Sequence, residues 1–364
     1  MAVRITKPEF NLREKLSELD KPSGLKGNEL MRAETTQDAR DLIGTSRRNL
    51  IINGDFQVSQ RGNYTSSAVT AGHDTYWLDR WMSLKSGTSS TVQRVTQTVN
   101  GVPQYAARIV CTVAGNGIMG FNQRVELTNI PIGRTLTASA MVRTNHPYVG
   151  FRTNTFQNSG GDRGVKAIPD GNWHRIYWTF DSTGTTSAQG GDLLIVAYNN
   201  ASVSIAVGDF IEIAEVQLEV GKVATEFDHR SFAEEYELCQ RYFQSNFPVG
   251  VPPQNGYYSS TSKLAAGFNG VVCFNGSQAR APWVMFHPKM RTTPTVTLYA
   301  ASSDDTNGKW AAYKGAWNSA SSMQIDYFES NGFGVRYNSA SGSHAFVTGE
   351  AYLYRGMWSA TAEL

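Results

Sequence analysis

Charge is scarce in this sequence. Asp, Glu, Lys and Arg make up 18% of its 364 residues, and 33 basic against 31 acidic side chains leave a net charge of +2. No basic field able to release counterions from a phosphate backbone exists, so nucleic acid is not an expected partner. Cysteine is scarcer still. Cys111, Cys239 and Cys273 are widely separated and form no C-x-x-C pair, which leaves buried free thiols in a reducing compartment as the expectation. No stretch approaches a membrane span, and the opening MAVRITKPEFNLREK has no apolar signal core. Membrane insertion is therefore not expected, and neither is secretion; synthesis in the cytoplasm with release by lysis is.

Catalytic spacing is also missing. The six His residues, at 73, 146, 174, 229, 287 and 344, show no HxxxH or HExxH pattern, and neither a G-x-S-x-G elbow nor a phosphate-cradling glycine loop occurs. Cleaving a glycosidic bond needs two carboxylates placed across it. Asp74 with Asp79 and Asp304 with Asp305 are near in sequence, but both sets read as loop residues. No parallel β-helix period is present. The expectation is a protein without enzymatic activity.

What is abundant points to β structure. Hydrophobic residues reach 40%, aromatics 11%, and there are 34 Gly, 8 Trp and 16 Tyr. Many aromatics, few charges and frequent turn residues suit sandwiches or barrels more than helix bundles.

The first 48 residues stand apart, with 18 charged residues against 46 in the other 316. Asn11-Leu12-Arg13-Glu14 is a capping-box pattern, and Leu12, Leu16 and Leu19 share a helical face that ends near Lys21-Pro22. A second short helix begins near Thr35 or Thr36 and stops at Gly44. Neither is long enough to be stable alone. The segment 1–48 is therefore expected to dock on a partner or on sister chains, through Phe10, Leu12, Leu16, Leu19 and Leu25.

From Asn49 strands and turns take over. Asn-Gly, the favoured type I′ hairpin turn, occurs eight times, at Asn53, Asn100, Asn116, Asn255, Asn269, Asn275, Asn307 and Asn331. Strands are expected at 91–98, 105–113, 135–143, 174–180, 193–198, 210–220 and 295–300, with a hairpin over 323–337 turning at Asn331-Gly332. Ala214, Val216 and Leu218 alternate with Glu215, Gln217 and Glu219, which predicts one buried and one wet face. A single helix interrupts the pattern. Ser231-Phe232-Ala233-Glu234 is its capping box, it runs to about Gln244, and Phe232, Tyr236, Cys239 and Phe243 form its stripe. The predicted organisation is an attachment segment (1–48), a jelly-roll β-sandwich (49–230), a connecting helix (231–245) and a C-terminal β-sandwich (246–364). Phe232, Tyr236 and Phe243 are candidates for self-association around a symmetry axis.

Four blocks carry a resemblance. NLIINGDFQVSQRG from Asn49, followed by Trp77-Leu78-Asp79-Arg80-Trp81, resembles the opening of the jelly-roll region in many phage tail fibres. IAEVQLEVGKVATE from Ile213, with Phe227 and FAEEYELCQRYFQ, resembles its close. PKMRTTPTVTL from Pro288 and the ending MWSATAEL look like fibre C-terminal domains, and FNLREKLSELDKPSGLKGNEL from Phe10 resembles leaders of marine-phage appendage proteins. The first block is also similar to jelly-roll carbohydrate-binding modules.

The resemblance implies a bacteriophage tail-fibre-type virion protein: a homotrimeric tail-fibre or tail-tip subunit, made in the host bacterial cytoplasm, held to other virion proteins by its N-terminus and contacting host surface glycans. A head fibre, decoration or adaptor subunit with a purely structural role is the alternative. It implies no catalytic cofactor. Such modules often hold a structural calcium, for which Asp55 and Asp209 are the candidates. For glycan stacking, Trp310, Trp317, Tyr313, Tyr257 and Tyr258 lie in Gly/Ser/Asn-rich stretches and are the expected exposed rings.

Overall fold

The computed structural model divides into two units, Met1–Arg48 and Asn49–Leu364. Of the first it describes Arg32 alone; of the second, all but residues 131, 154–155, 157–165, 183–189, 199–202, 258–268, 276–277, 281–282, 301–309, 314–316, 319–321, 339–348 and 350. The expected leader helices and attachment residues Phe10, Leu12, Leu16, Leu19 and Leu25 lie outside the described residues. The fold is mainly β, as the composition predicts.

Eleven strands build a sandwich: β1 (Val69–Thr70), β2 (Thr75–Leu78), β3 (Trp81–Ser86), β4 (Ser89–Val99), β5 (Val102–Val113), β6 (Ile118–Val125), β7 (Thr135–Thr144), β8 (Val149–Arg152), β9 (His174–Asp181), β10 (Gly191–Tyr198) and β11 (Phe210–Val220). They form a six-stranded sheet, β1-β4-β5-β11-β7-β9, and a five-stranded sheet, β2-β3-β6-β10-β8. Inward residues of both sheets, among them Val92, Ile109, Phe121, Leu136, Phe151, Ile195 and Ile213, meet in one core. Alternation along each strand directs them there.

One expected alternation is broken. Glu215 adopts φ +50°, and the β11–β7 register shifts between Ala214 and Gln217. The bulge leaves Ala214 in a cluster with Val95, Val99 and Met141, while Val216 and Leu218 stay in the main core. Gln217 and Glu219, expected to be wet, are buried. They hold the loop that follows: Gln217 Oε1 accepts Asp228 N at 2.8 Å and Glu219 Oε1 accepts Thr225 N at 2.8 Å. A carboxylate is tolerated inside when donors are waiting for it.

Helix α1 (Phe232–Gln240) starts at the predicted capping box, with Ser231 Oγ accepting Glu234 N and Glu234 Oε2 accepting Ser231 N. It ends four residues earlier than expected. Phe243 belongs to strand β12 (Phe243–Ser245), where it is buried, because Gln244 and its neighbours pair with the last strand instead.

The remaining strands are β13 (Asn269–Asn275), β14 (Gln278–Arg280), β15 (Val284–Met285), β16 (Thr295–Tyr299), β17 (Ala311–Tyr313), β18 (Trp317–Asn318), β19 (Ser322–Glu329), β20 (Gly332–Asn338), β21 (Ala351–Arg355) and β22 (Met357–Thr361). One sheet runs β12-β22-β16, and a larger one runs β15-β20-β14-β13-β21-β17-β18 with β19 on β20. The predicted hairpin is β19–β20, but Glu329 pairs with Gly332, so the turn is Ser330-Asn331, one residue before the expected Asn331-Gly332. A smaller core of Phe286, Met290, Trp310, Phe333, Val335 and Ala360 lies between them.

The Asn-Gly pairs divide by context. Among the described residues only Asn100-Gly101 has both residues at positive φ, +51° and +81°, and it turns β4 into β5 as predicted. Asn269-Gly270 is inside a strand. Asn53-Gly54 is a packed loop: a Cβ on Gly54 would strike Val216 O. Asn53 Nδ2 donates to Val58 O at 2.9 Å and to Asp79 O at 3.1 Å.

The two β regions are tied covalently through α1 and again at the last residues. Glu363 pairs with Arg61 and with the buried Arg80. Arg124 Nη1 and Tyr76 OH both donate to Leu364 O. Cys111 and Cys239 are buried free thiols, as expected.

Candidate functional site

Of the five expected rings, the two whose side chains are described are packed against the protein. Trp310 is 4% exposed and donates its indole N–H to Met357 O at 2.9 Å. Its burial follows from Gly356, where a Cβ would collide with the indole. Tyr257 packs on Phe247, ring centroids 5.7 Å apart. Tyr313 and Trp317 are backbone partners in β17 and β18. Their side chains, and Tyr258 entirely, lie outside the described residues.

A different group comes together on the outer face of the larger C-terminal sheet. Val284 pairs with Phe333, and both point into the core. That register turns Met285 and Gly332 outward. Gly332 and Gly334 carry no side chain, and the indole of Trp283 lies across the space: a Cβ on Gly332 would collide with its Nε1, and one on Gly334 would stand 3.5 Å from its Cε3. Trp283 is 42% exposed in that position. Gly332 leaves room for the ring, while at Gly334 the nearest obstacle to a side chain is Asp326 O, 2.8 Å from a Cβ.

A bulge supplies the second ring. The β19–β20 register shifts between Asp326 and Phe328, and Tyr327 adopts φ +53°. A bulge puts one extra residue on a strand and redirects its side chain. Tyr327 is 66% exposed as a result. Between the rings, Arg280 Nη2 meets Asp326 Oδ2 at 3.2 Å, and the Arg280 guanidinium sits 5.6 Å from the Tyr327 centroid. Asp326 Oδ2 is sheltered but receives no hydrogen bond, so a donor arriving there would satisfy it. Arg280, Trp283, Asp326, Tyr327, Gly334 and Val335 line a shallow pocket of about 170 Å³.

Two exposed rings flanking a charged donor–acceptor pair can stack a sugar's C–H face and bind its hydroxyls. Sequence reasoning passed over all four side chains. The signal available was Gly-Phe-Gly in β20, a strand whose outward positions are empty.

Other predicted positions have structural roles. Asp79 is buried and accepts Gln60 Nε2 at 2.7 Å, and burial pushes its carboxyl up. Asp74 is exposed at φ +47°. Asp55 and Asp209 stand among different partners: Asp55 accepts Gln57 Nε2 at 2.9 Å, while Asp209 accepts Ala206 N at 2.7 Å. Among the described residues no group of three or more His, Cys, Asp or Glu is placed to hold a metal. Phe232, on α1, is 47% exposed and stacks on Tyr236 at 5.7 Å.

No family model matches the sequence, and no curated protein matches it either. Solved structures do. The CBM22-1 xylan-binding domain of Xyn10C from Paenibacillus barcinonensis is 12% identical, with 43% of this chain covering 95% of that one at a TM-score of 0.29. The family 11 carbohydrate-binding module of Lic26A-Cel5E from Clostridium thermocellum is 17% identical, with 42% covering 94% at 0.27. The enzymatically active domain of tailspike protein 4 from bacteriophage CBA120 is 11% identical, with 48% of this chain covering 21% of that one at 0.29.

Proposed function

We propose that this chain is a glycan-contacting subunit of a phage virion appendage, a tail fibre or tail tip. Residues 1–48 attach it to other virion proteins, and the C-terminal sheet faces the host surface. The observation that carries the glycan contact is the Trp283 ring lying across Gly332 and Gly334, with Tyr327 turned out by a bulge beside it. The virion assignment is supported by the four sequence blocks and their order. Phe232 and Tyr236 on α1 serve as the contact between copies in a homotrimer.

A bacterial adsorption assay and a glycan array with the full chain test the contact. Trp283→Ala should cut retention at least tenfold with the fold unchanged by circular dichroism. Equal retention by parent and variant would sink the platform. Removal of residues 1–48 should leave a soluble β protein that no longer joins the particle; normal incorporation would refute the attachment role.

One observation favours a second reading. Met285 and Phe328 are 59% and 52% exposed on the same strands. Exposed apolar side chains on both faces of this edge also suit a contact between subunits, as in a purely structural head fibre or decoration protein. In that case Trp283→Ala would change the mass by light scattering and leave adsorption untouched.

A further inference from the structure

A second cleft opens on the sandwich, at the turn end of the β4–β5 hairpin. It holds about 470 Å³ and is lined by Asp55, Gln57, Thr96, Gln104, Tyr105 and His229, with Val102 and Pro103. That volume lies within the range of small-ligand pockets.

Its walls are built from three separate parts of the chain. Asp55 and Gln57 come from the packed loop after Asn53. Thr96, Gln104 and Tyr105 come from the hairpin. His229 comes from the segment entering α1 and is held edge-on against Phe227 at 4.8 Å. Tyr105 is fixed from one side by the Arg94 guanidinium, 4.2 Å from its centroid. Arg94 is in turn bonded to Phe56 O, Gln57 O and Asn63 Oδ1. The aromatic wall is thus pre-organised. Gln104 is positioned by its bond to Glu215 Oε1 at 2.8 Å, the residue at the β11 bulge.

The chemistry of the lining selects a ligand class. Asp55 offers an acceptor, Gln57 and Gln104 offer amides, Thr96 a hydroxyl, His229 an imidazole, and Tyr105 an apolar ring. Glu235 raises the negative potential at Asp55 from the helix side, which disfavours an anion. A neutral group dense in hydroxyls, with an apolar C–H face, matches this set.

We propose that this cleft is a second saccharide site, one that takes a single neutral pyranose unit independently of the Trp283 platform. Asp55 accepts ligand hydroxyls and Tyr105 stacks beneath the ring. The carboxyl stands where burial and Glu235 push its pKa up to about 6, with His229 opposing. No cationic side chain of the hairpin lines the cleft. A position that penalises its own charge is one that function, more than stability, explains.

Saturation-transfer NMR of the full chain with the methyl α-pyranosides of glucose, galactose and mannose tests the site. In a Trp283→Ala background, at least one of the three should still receive transfer. Asp55→Asn and Gln104→Ala should each weaken that binding about tenfold, and binding should fall as the pH drops from 7.5 to 5 while Asp55 gains its proton. Gln104→Ala leaves the Asp55 loop untouched, so a folding defect in one variant does not blur the outcome. No transfer from any of the three in the Trp283→Ala protein, or binding indifferent to both cleft variants, would overturn the proposal. Loss in Trp283→Ala alone would speak for the platform and against the cleft.

Discussion

In the sandwich, Trp81 is fully buried, gives its indole N–H to Asn53 O at 2.8 Å and packs on Phe56 at 5.0 Å. In the C-terminal sheet, Trp283 lies exposed over two glycines. Both stand at the start of a strand, Trp81 opening β3 and Trp283 just before β15. What separates them is the opposite partner. Trp81 faces a second complete sheet, whereas Trp283 lies on the outward face of its own sheet. A ring's role is decided by what stands across from it, and the sandwich has more to place there.

The comparison can be strained from both sides. The largest effect belongs to Trp81→Ala, which removes a core ring and one of the two hydrogen bonds to Asn53 O. It should cost about 3–5 kcal/mol by urea unfolding. A loss under about 1 kcal/mol would mean the sandwich tolerates voids as the outer face does.

Glu363→Ala comes next. It strands the buried Arg80 guanidinium, so a loss of about 3 kcal/mol is expected. Calorimetry should also show whether the C-terminal region then melts ahead of the sandwich. A single unchanged transition would show that the Arg80–Glu363 pair is not what couples them.

Asp55 gives a pH test. Its folded pKa is raised from 3.8 to about 6 by burial first and Glu235 second. The folded state therefore holds the proton more tightly. This contribution to stability is complete below pH 3.8 and is lost as pH rises towards about 6. Full ionisation costs about 3 kcal/mol. Asp55→Asn should flatten that slope and be more stable than the parent at pH 7.5. A parallel pH profile for both proteins would show that the carboxyl is not strained.

Trp283→Ala should change stability least, by about 0.5 kcal/mol, because the ring's removal opens no enclosed cavity. A large loss would move Trp283 into the class of Trp81 and remove the contrast.

Much of the fold was legible. Strands over 91–98, 105–113, 135–143, 174–180, 193–198, 210–220 and 295–300 all formed, since alternation and turn residues act within a few positions of each other. The capping box at Ser231 was readable for the same reason. The candidate site was not. Trp310 sits in a Gly/Ser/Asn-rich stretch that reads as surface, yet Gly356 makes room for it inside. Gln217 and Glu219 read as wet, yet the loop 225–228 brings donors to them.

By itself, then, the sequence determined the class of structure, the strand positions and the helix start, because these depend on local backbone preference and on period. It also set apart a charge-dense leader from the β regions. Tertiary structure alone decided which rings face out, where the bulges at Glu215 and Tyr327 fall, and that Asp55 and Tyr105 share a cleft. Those outcomes depend on residues dozens to hundreds of positions apart, and no local pattern encodes what will stand opposite a side chain once two sheets have closed.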